Sequence, residues 1–167
     1  RVKTVLLMRH AHAATAADDR DRPLSDTGRR EVEIMGQLLK MRGPLPQLVI
    51  ASDAVRTMET AQLLLDIIGI EVPLMAAAQL YLTGPDRWLA TLRHIDSQIS
   101  TALLIGHNPG VTAFAQQLRG GGRPIDEFDP ALMTRFDLPV EQWRNVEPGK
   151  ALCRWFMGPK EAIFLTR

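Results

Sequence analysis

The stretch Val5-Leu6-Leu7-Met8-Arg9-His10 decides the fold. Four consecutive apolar side chains without polar alternation read as a strand buried on both faces, as in a parallel sheet covered by helices. The run stops abruptly at an arginine and a histidine. The same pattern recurs twice. Leu48-Val49-Ile50-Ala51 leads into Ser52-Asp53, and Ala102 to Ile105 leads into Gly106-His107-Asn108-Pro109-Gly110.

Helical periodicity fills the intervals. Pro23-Leu24-Ser25-Asp26-Thr27-Gly28 opens a helix with Ser25 or Asp26 as N-cap. Val32, Met35, Leu38 and Leu39 form its apolar stripe, and Gly43-Pro44 stops it. A second helix places Val55, Met58, Ala61, Leu65 and Ile68 on one face, with Asp53 as its expected cap and Gly69 as its end. Glu71 to Met75 reads as a short strand, and Pro85 to Ile95 as a helix with Trp88, Leu89, Leu92 and Ile95 inward. Another helix carries Val111, Phe114, Ala115 and Leu118. Gly120-Gly121-Gly122 is expected to be a flexible loop, and Met133 to Leu138 and Ala151 to Met157 to be strands. Strands alternating with helices predict an α/β fold, a three-layer α/β/α sandwich with a mainly parallel sheet, formed by residues 1–167 as a single domain.

The 167 residues are 46% hydrophobic and 23% charged, with a net charge of +1. This balance lacks the basic footprint of a nucleic-acid partner and the polybasic segment of a membrane-surface protein. No apolar run is long enough to span a bilayer, and the opening Arg1-Val2-Lys3 has no signal-peptide pattern. A single cysteine, Cys153, rules out an intramolecular disulfide or a multi-cysteine metal site and fits a reducing compartment. The expected location is cytoplasmic.

Ligands of open α/β sheets sit outside the carboxyl ends of the strands, so the three polar clusters are expected to meet at one edge. Their chemistry suits phosphoryl transfer, which needs positive charge around the phosphoryl oxygens and a nucleophile in line with the leaving group. Arg9 and Arg56 offer planar forks for phosphate. His10 and His107 offer imidazoles, one to attack and the other, if protonated, to stabilise charge. Thr60 lies on the same helix face as Arg56. Arg20 and Arg22, in the run Asp19-Arg20-Asp21-Arg22, are expected to be solvated or paired with loop aspartates.

These segments resemble the histidine phosphatase superfamily, which has the phosphoglycerate mutase-like fold. Leu7-Met8-Arg9-His10-Ala11 is similar to that family's Arg-His-Gly motif, with Ala11 in place of the glycine. Pro23 to Gly28 is similar to its Leu-Thr-x-x-Gly helix start. Ser52-Asp53-Ala54-Val55-Arg56-Thr57 with Thr60-Ala61 matches its arginine segment, and Gly106-His107-Asn108-Pro109 its second histidine motif. The resemblance implies His10 as the phosphorylated nucleophile, with Arg9, Arg56 and His107 as the phosphate pocket and no metal or organic cofactor.

Within the superfamily the chain looks most like the SixA branch of small phosphohistidine phosphatases. Asp19-Arg20-Asp21-Arg22-Pro23-Leu24 resembles that branch's Asp-x-x-Arg-Pro-Leu, and His12-Ala13 replaces the Glu and Ser or Thr of the mutases. The mutases' acidic proton donor after the third strand has no counterpart, because 72–85 contains no carboxylate. An alkoxide leaving group needs general-acid help, whereas an imidazole can leave carrying its own ring proton. The expected substrate is therefore phosphohistidine, carried on a protein as the resemblance to that branch implies, with Asp18 or Asp19 on the loop as the alternative source of a proton. The alternatives are a general phosphatase acting on small phosphorylated molecules and a phosphate-binding module without turnover. A divalent-metal site built from His10, His12, His107 and Asp18 is disfavoured by the adjacent Arg9.

Overall fold

The first strand, β1 (Lys3–Arg9), lies in the middle of a seven-stranded sheet. In this computed structural model residues 2–167 are described; Arg1, the first residue of the opening segment, lies outside them. The other strands are β2 (Leu48–Ser52), β3 (Leu74–Ala77), β4 (Thr101–Gly106), β5 (Arg119–Gly122), β6 (Met133–Leu138) and β7 (Ala151–Met157), in the order β3-β2-β4-β1-β6-β7-β5. The run β3-β2-β4-β1 is parallel throughout. β6 lies antiparallel to both β1 and β7, and β5 is parallel to β7.

Alternate residues of β1 feed opposite layers, as the two-residue period of a strand requires. Val5 and Leu7 enter a core with Leu104, Trp88, Leu92, Val111 and Phe114. This core is covered by α3 (Pro85–Arg93) and α4 (Gly110–Leu118). Leu6 and Met8 enter a second core with Leu103, Ile105, Val32, Met35 and Leu64. That one is covered by α1 (Asp26–Arg42), α2 (Val55–Ile68) and α5 (Pro159–Leu165). Both faces of the sheet are thus dry, which is why the strands read as unbroken apolar runs and why the fold is the expected three-layer sandwich.

Ser25 is the N-cap of α1, its hydroxyl accepting from the Gly28 amide at 3.0 Å. Gly28 is required for a different reason. A Cβ there would lie 2.1 Å from the carbonyl oxygen of His12, so the helix start presses directly on the loop that follows β1.

Four local expectations are corrected. The short strand begins at Leu74, not at Glu71. Pro73 has no N–H for the ladder and contributes only its carbonyl, which accepts from Val49 at 3.0 Å. Gly120-Gly121-Gly122 is not a loop but belongs to edge strand β5. A Cβ on Gly120 would fall 2.3 Å from the carbonyl oxygen of Gly149, and one on Gly122 2.2 Å from that of Cys153, so the glycines permit close backbone approach to β7. The buried face of α2 runs through Thr57, Thr60, Ala61, Leu64, Leu65 and Ile68, leaving Val55 and Met58 half-buried. The two threonines enter the interior because their hydroxyls donate to backbone carbonyls, Thr57 to Ser52 at 2.6 Å and Thr60 to Arg56 at 2.7 Å. Finally, Ala54 occupies the N-cap of α2, and Asp53 is paired with Arg20 instead.

Candidate active site

Three adjacent parallel strands, β1, β4 and β2, end at one edge of the sheet and deliver the three clusters together. Arg9 is in register with Gly106, and the His10 amide donates to the Gly106 carbonyl at 3.0 Å. On the other side of β1, the Arg9 amide donates to Leu132 and the His10 carbonyl accepts from Ala131. The backbone on which Arg9 and His10 stand is therefore bonded on both sides.

His10, Arg56 and His107 are all buried, at 9%, 2% and 3% exposure. The Arg56 Nε donates to His10 Nε2 at 3.4 Å, and its Nη2 donates to His107 Nδ1 at 3.2 Å. The rings of His10 and His107 are 5.2 Å apart. First-turn arginines of helices ordinarily point to solvent. This one is held inward because its helix springs from a strand end at the site.

The bonding partners set both tautomers. His10 Nδ1 lies 2.7 Å from the carbonyl oxygen of Ala11, which can only accept, so Nδ1 carries the hydrogen and Nε2 keeps its lone pair. His107 Nδ1 faces a guanidinium, which can only donate. Its Nε2 therefore carries the hydrogen and donates to Ser52 Oγ at 2.7 Å. Burial lowers the His10 pKa to about 4, with Arg56, Arg9 and Arg22 adding to the effect. Burial also lowers that of His107 to about 3, reinforced by His10 and Arg56. Both rings are neutral at pH 7.

Arg9 reaches the same edge. Its Nη1 donates to the Phe128 carbonyl at 2.9 Å, while its buried Nε has no hydrogen-bond partner. Asn108 Nδ2 donates to the same carbonyl. Thr60 Oγ1 accepts from the Ala11 amide at 3.1 Å, tying α2 to the residue after His10. Trp88 lies against the second histidine segment, since a Cβ on Gly106 would come 2.3 Å from its ring.

A short helical turn at Asp19–Asp21 lies over the cluster. Arg56 donates through Nη1 to the Asp19 carbonyl at 2.7 Å and through Nη2 to Asp19 Oδ2 at 3.0 Å. Arg22 pairs with Asp19 Oδ1, as expected for a loop ion pair, but Arg20 reaches out of the loop to Asp53. The Tyr81 hydroxyl donates to Asp19 Oδ2, and its ring stands edge-on to His107 at 5.4 Å. The Tyr81 hydrogen bond, followed by those from Arg56 and Arg22, holds the Asp19 carboxyl well below the usual carboxylate range. The same bond raises the Tyr81 pKa.

Sequence reasoning missed Tyr81. It is the sole tyrosine of the chain and lies just past β3, in the segment 72–85 that has no carboxylate. The Phe128 carbonyl has no sequence signal, because a backbone acceptor leaves none. Asp18 caps the short turn by accepting from the Arg20 amide, and His12 is exposed, its Nδ1 bonded to Ser25 Oγ. Among the described residues no three His, Cys, Asp or Glu side chains are grouped to hold a metal ion, and no helix is long and apolar enough to cross a membrane.

The chain has relatives in sequence and in fold. The histidine phosphatase superfamily (branch 1) matches residues 5–79. An uncharacterized chloroplastic protein of Arabidopsis thaliana is 30% identical over 98% of this chain and 81% of its own length. An uncharacterized protein of Mycobacterium tuberculosis is 30% identical over 92% of this chain and all of its own. Among solved structures, a protein proposed as the phosphohistidine phosphatase SixA of Nakamurella multipartitia superposes with a TM-score of 0.84 at 27% identity, covering 95% of this chain and 97% of that one. The protein histidine phosphatase SixA complexed with tungstate has the same fold, with a TM-score of 0.81 at 24% identity over 95% and 98% of the two chains. By sequence and by fold, the chain belongs to the histidine phosphatase superfamily, with SixA phosphohistidine phosphatases among its structural neighbours.

Proposed function

We propose that the protein is a phosphohistidine phosphatase that acts on a phosphorylated protein through a phospho-His10 intermediate. The observation that carries this reading is the orientation of His10. Its Nδ1–H is committed to the Ala11 carbonyl, which leaves a neutral, unprotonated Nε2 facing the Arg56 guanidinium at 3.4 Å. A simple anion-binding site needs the guanidinium but not a nucleophile beside it.

In the first step His10 Nε2 attacks phosphorus in line, and the bond from phosphorus to the leaving group breaks with its electron pair staying on that group. Arg9, Arg56 and His107 hold the phosphoryl oxygens. The free Nε–H of Arg9 is a donor without a protein partner. His107 is neutral at pH 7, and a bound phosphoryl dianion raises its proton affinity. As Arg56 Nη2 turns from His107 to a phosphoryl oxygen, Nδ1 takes up a proton and donates to another. In the second step water attacks phospho-His10, releasing phosphate and restoring the imidazole. No metal or organic cofactor takes part.

The single continuous sheet and its two covering layers support treating residues 1–167 as a single histidine phosphatase domain. The alternative, a general phosphatase for small phosphate esters, requires a proton donor for an alkoxide. Asp19, the carboxyl nearest the cluster, is held ionised by Tyr81, Arg56 and Arg22 and is a poor acid. The deciding experiment compares phosphate release from phosphohistidine and phosphoserine peptides, with His10→Ala as control. Release from the phosphohistidine peptide alone, lost in the variant, is expected. Comparable release from both would overturn the preference for phosphohistidine.

A further inference from the structure

A carboxylate is a costly neighbour for a phosphoryl group, because the two anions repel. Asp19 is nevertheless built into this site. Its Oδ2 accepts from Arg56 Nη2 at 3.0 Å and from the Tyr81 hydroxyl, and its Oδ1 accepts from Arg22 Nη1 at 3.3 Å. The turn that carries it is anchored further. The Arg20 guanidinium stacks on the Tyr81 ring at 3.9 Å and pairs with Asp53, and the Asp19 carbonyl accepts from Arg56 Nη1.

The layering indicates what this carboxylate is for. The Arg56 side chain is 3% exposed, and the Asp19 side chain lying on it is 43% exposed. The His10 nucleophile is on the buried side with Arg56. In-line transfer to a buried nucleophile puts the leaving group on the opposite, outward side of phosphorus, which is the side where Asp19 stands. For an ester, whose leaving oxygen carries no hydrogen, the carboxylate would only repel. For a phosphorylated imidazole, the ring nitrogen remote from phosphorus carries an N–H once the ring is protonated, and a carboxylate is its natural acceptor. Three of the roughly four acceptor positions of a carboxylate are taken by Arg56, Tyr81 and Arg22, which leaves one open.

Building on the phosphohistidine reading above, we propose that Asp19 determines specificity by accepting the N–H of the substrate's phosphorylated imidazole, with Tyr81 and Arg22 holding the carboxylate in place. A carboxylate beside the ring favours its protonated form. When His10 Nε2 bonds to phosphorus and the P–N bond breaks, the electron pair returns to the substrate ring, and the ring leaves as neutral imidazole still carrying its own proton. No proton donor is then required, which accounts for a site without one.

The test measures kcat/KM of wild type and Asp19→Asn on a phosphohistidine peptide and on p-nitrophenyl phosphate, whose nitrophenolate leaves without a proton and offers no N–H. The expected result is a loss of about 10- to 100-fold on the peptide, the range for a hydrogen bond to a charged group. Cleavage of the aryl ester should be affected far less, so that the ratio of the two kcat/KM values falls by about tenfold or more. Asp19→Glu, which keeps the charge, should retain part of the preference and guards against misreading a folding defect. Equal losses on both substrates, or an unchanged ratio, would overturn the assignment while leaving the functional reading intact. A wild-type enzyme that leaves phosphohistidine untouched would overturn the functional reading and this assignment with it.

Discussion

The Arg56 Nε and the His10 Nε2 lie 3.4 Å apart although 46 residues separate them in the chain. Arg56 also donates to His107 and to Asp19, so one guanidinium ties both histidines to the loop carboxylate. Replacing Arg56 with Ala is expected to lower kcat/KM for p-nitrophenyl phosphate by roughly 3–4 kcal/mol in barrier height, the cost of losing a principal charge-stabilising donor. Arg56→Lys should recover little of it, since one ammonium cannot reach four acceptors in a planar array. A loss below tenfold for Arg56→Ala would count against its role.

His10→Ala should abolish turnover while leaving the fold intact, because the ring makes its one side-chain hydrogen bond within the protein to its neighbour's carbonyl, apart from the Arg56 contact. Brief incubation of the wild-type enzyme with a phosphodonor, followed by an alkaline quench and mass spectrometry, should show one added phosphoryl group on His10. A phosphoryl group on His107 instead would reverse the assignment of the two histidines.

Acid should destabilise the protein through the same two rings. His10 titrates at about 4 and His107 at about 3 in the folded chain, against 6.5 for an ordinary histidine. Between these values the unfolded chain binds more protons than the folded one. Stability is therefore full above about pH 6.5 and is lost as pH falls toward the folded values. For His10 alone the loss is on the order of 3 kcal/mol. Urea unfolding from pH 7 to pH 4.5 should show a shallower pH dependence in His10→Ala than in wild type, and equal slopes would contradict the buried neutral ring.

Gly106→Ala tests the packing behind His107. The added methyl would meet the Trp88 ring at 2.3 Å, and the ring is fully buried and has no room to retreat. Overpacking of this kind costs about 1–3 kcal/mol. The thermal midpoint should fall, and kcat should fall with it, because the displaced backbone carries His107. Trp88→Phe in the same chain should restore part of both by relieving the clash.

Much of the molecule is local in origin. Both faces of β1, β2 and β4 are buried, so their residues had to be continuously apolar, and the runs at Val5–Met8, Leu48–Ala51 and Ala102–Ile105 were legible as central strands. The ends of α1 and α2 were legible in Gly43 and Gly69, and the start of α1 in Ser25 or Asp26, whereas the N-cap of α2 is Ala54 and not Asp53. Gly120–Gly122 was misread because a missing side chain signals freedom in isolation and close approach once a neighbouring strand is present. The register that supplies the neighbour is not a local property.

The candidate site divides along the same line. By itself the sequence determined which groups stand at the strand ends, Arg9-His10, Ser52 and His107, and placed Arg56 one helical turn beyond, because strand termini and helix starts follow from short-range pattern. Tertiary structure alone decided that Asp19 lies on Arg56 and that Tyr81 holds it there. Those contacts join a loop after β1, the first turn of α2 and the segment after β3. Their partners are 37 and 62 residues apart, so nothing in the spacing of the chain encodes them, and they arise only when the parallel sheet brings its carboxyl edge together.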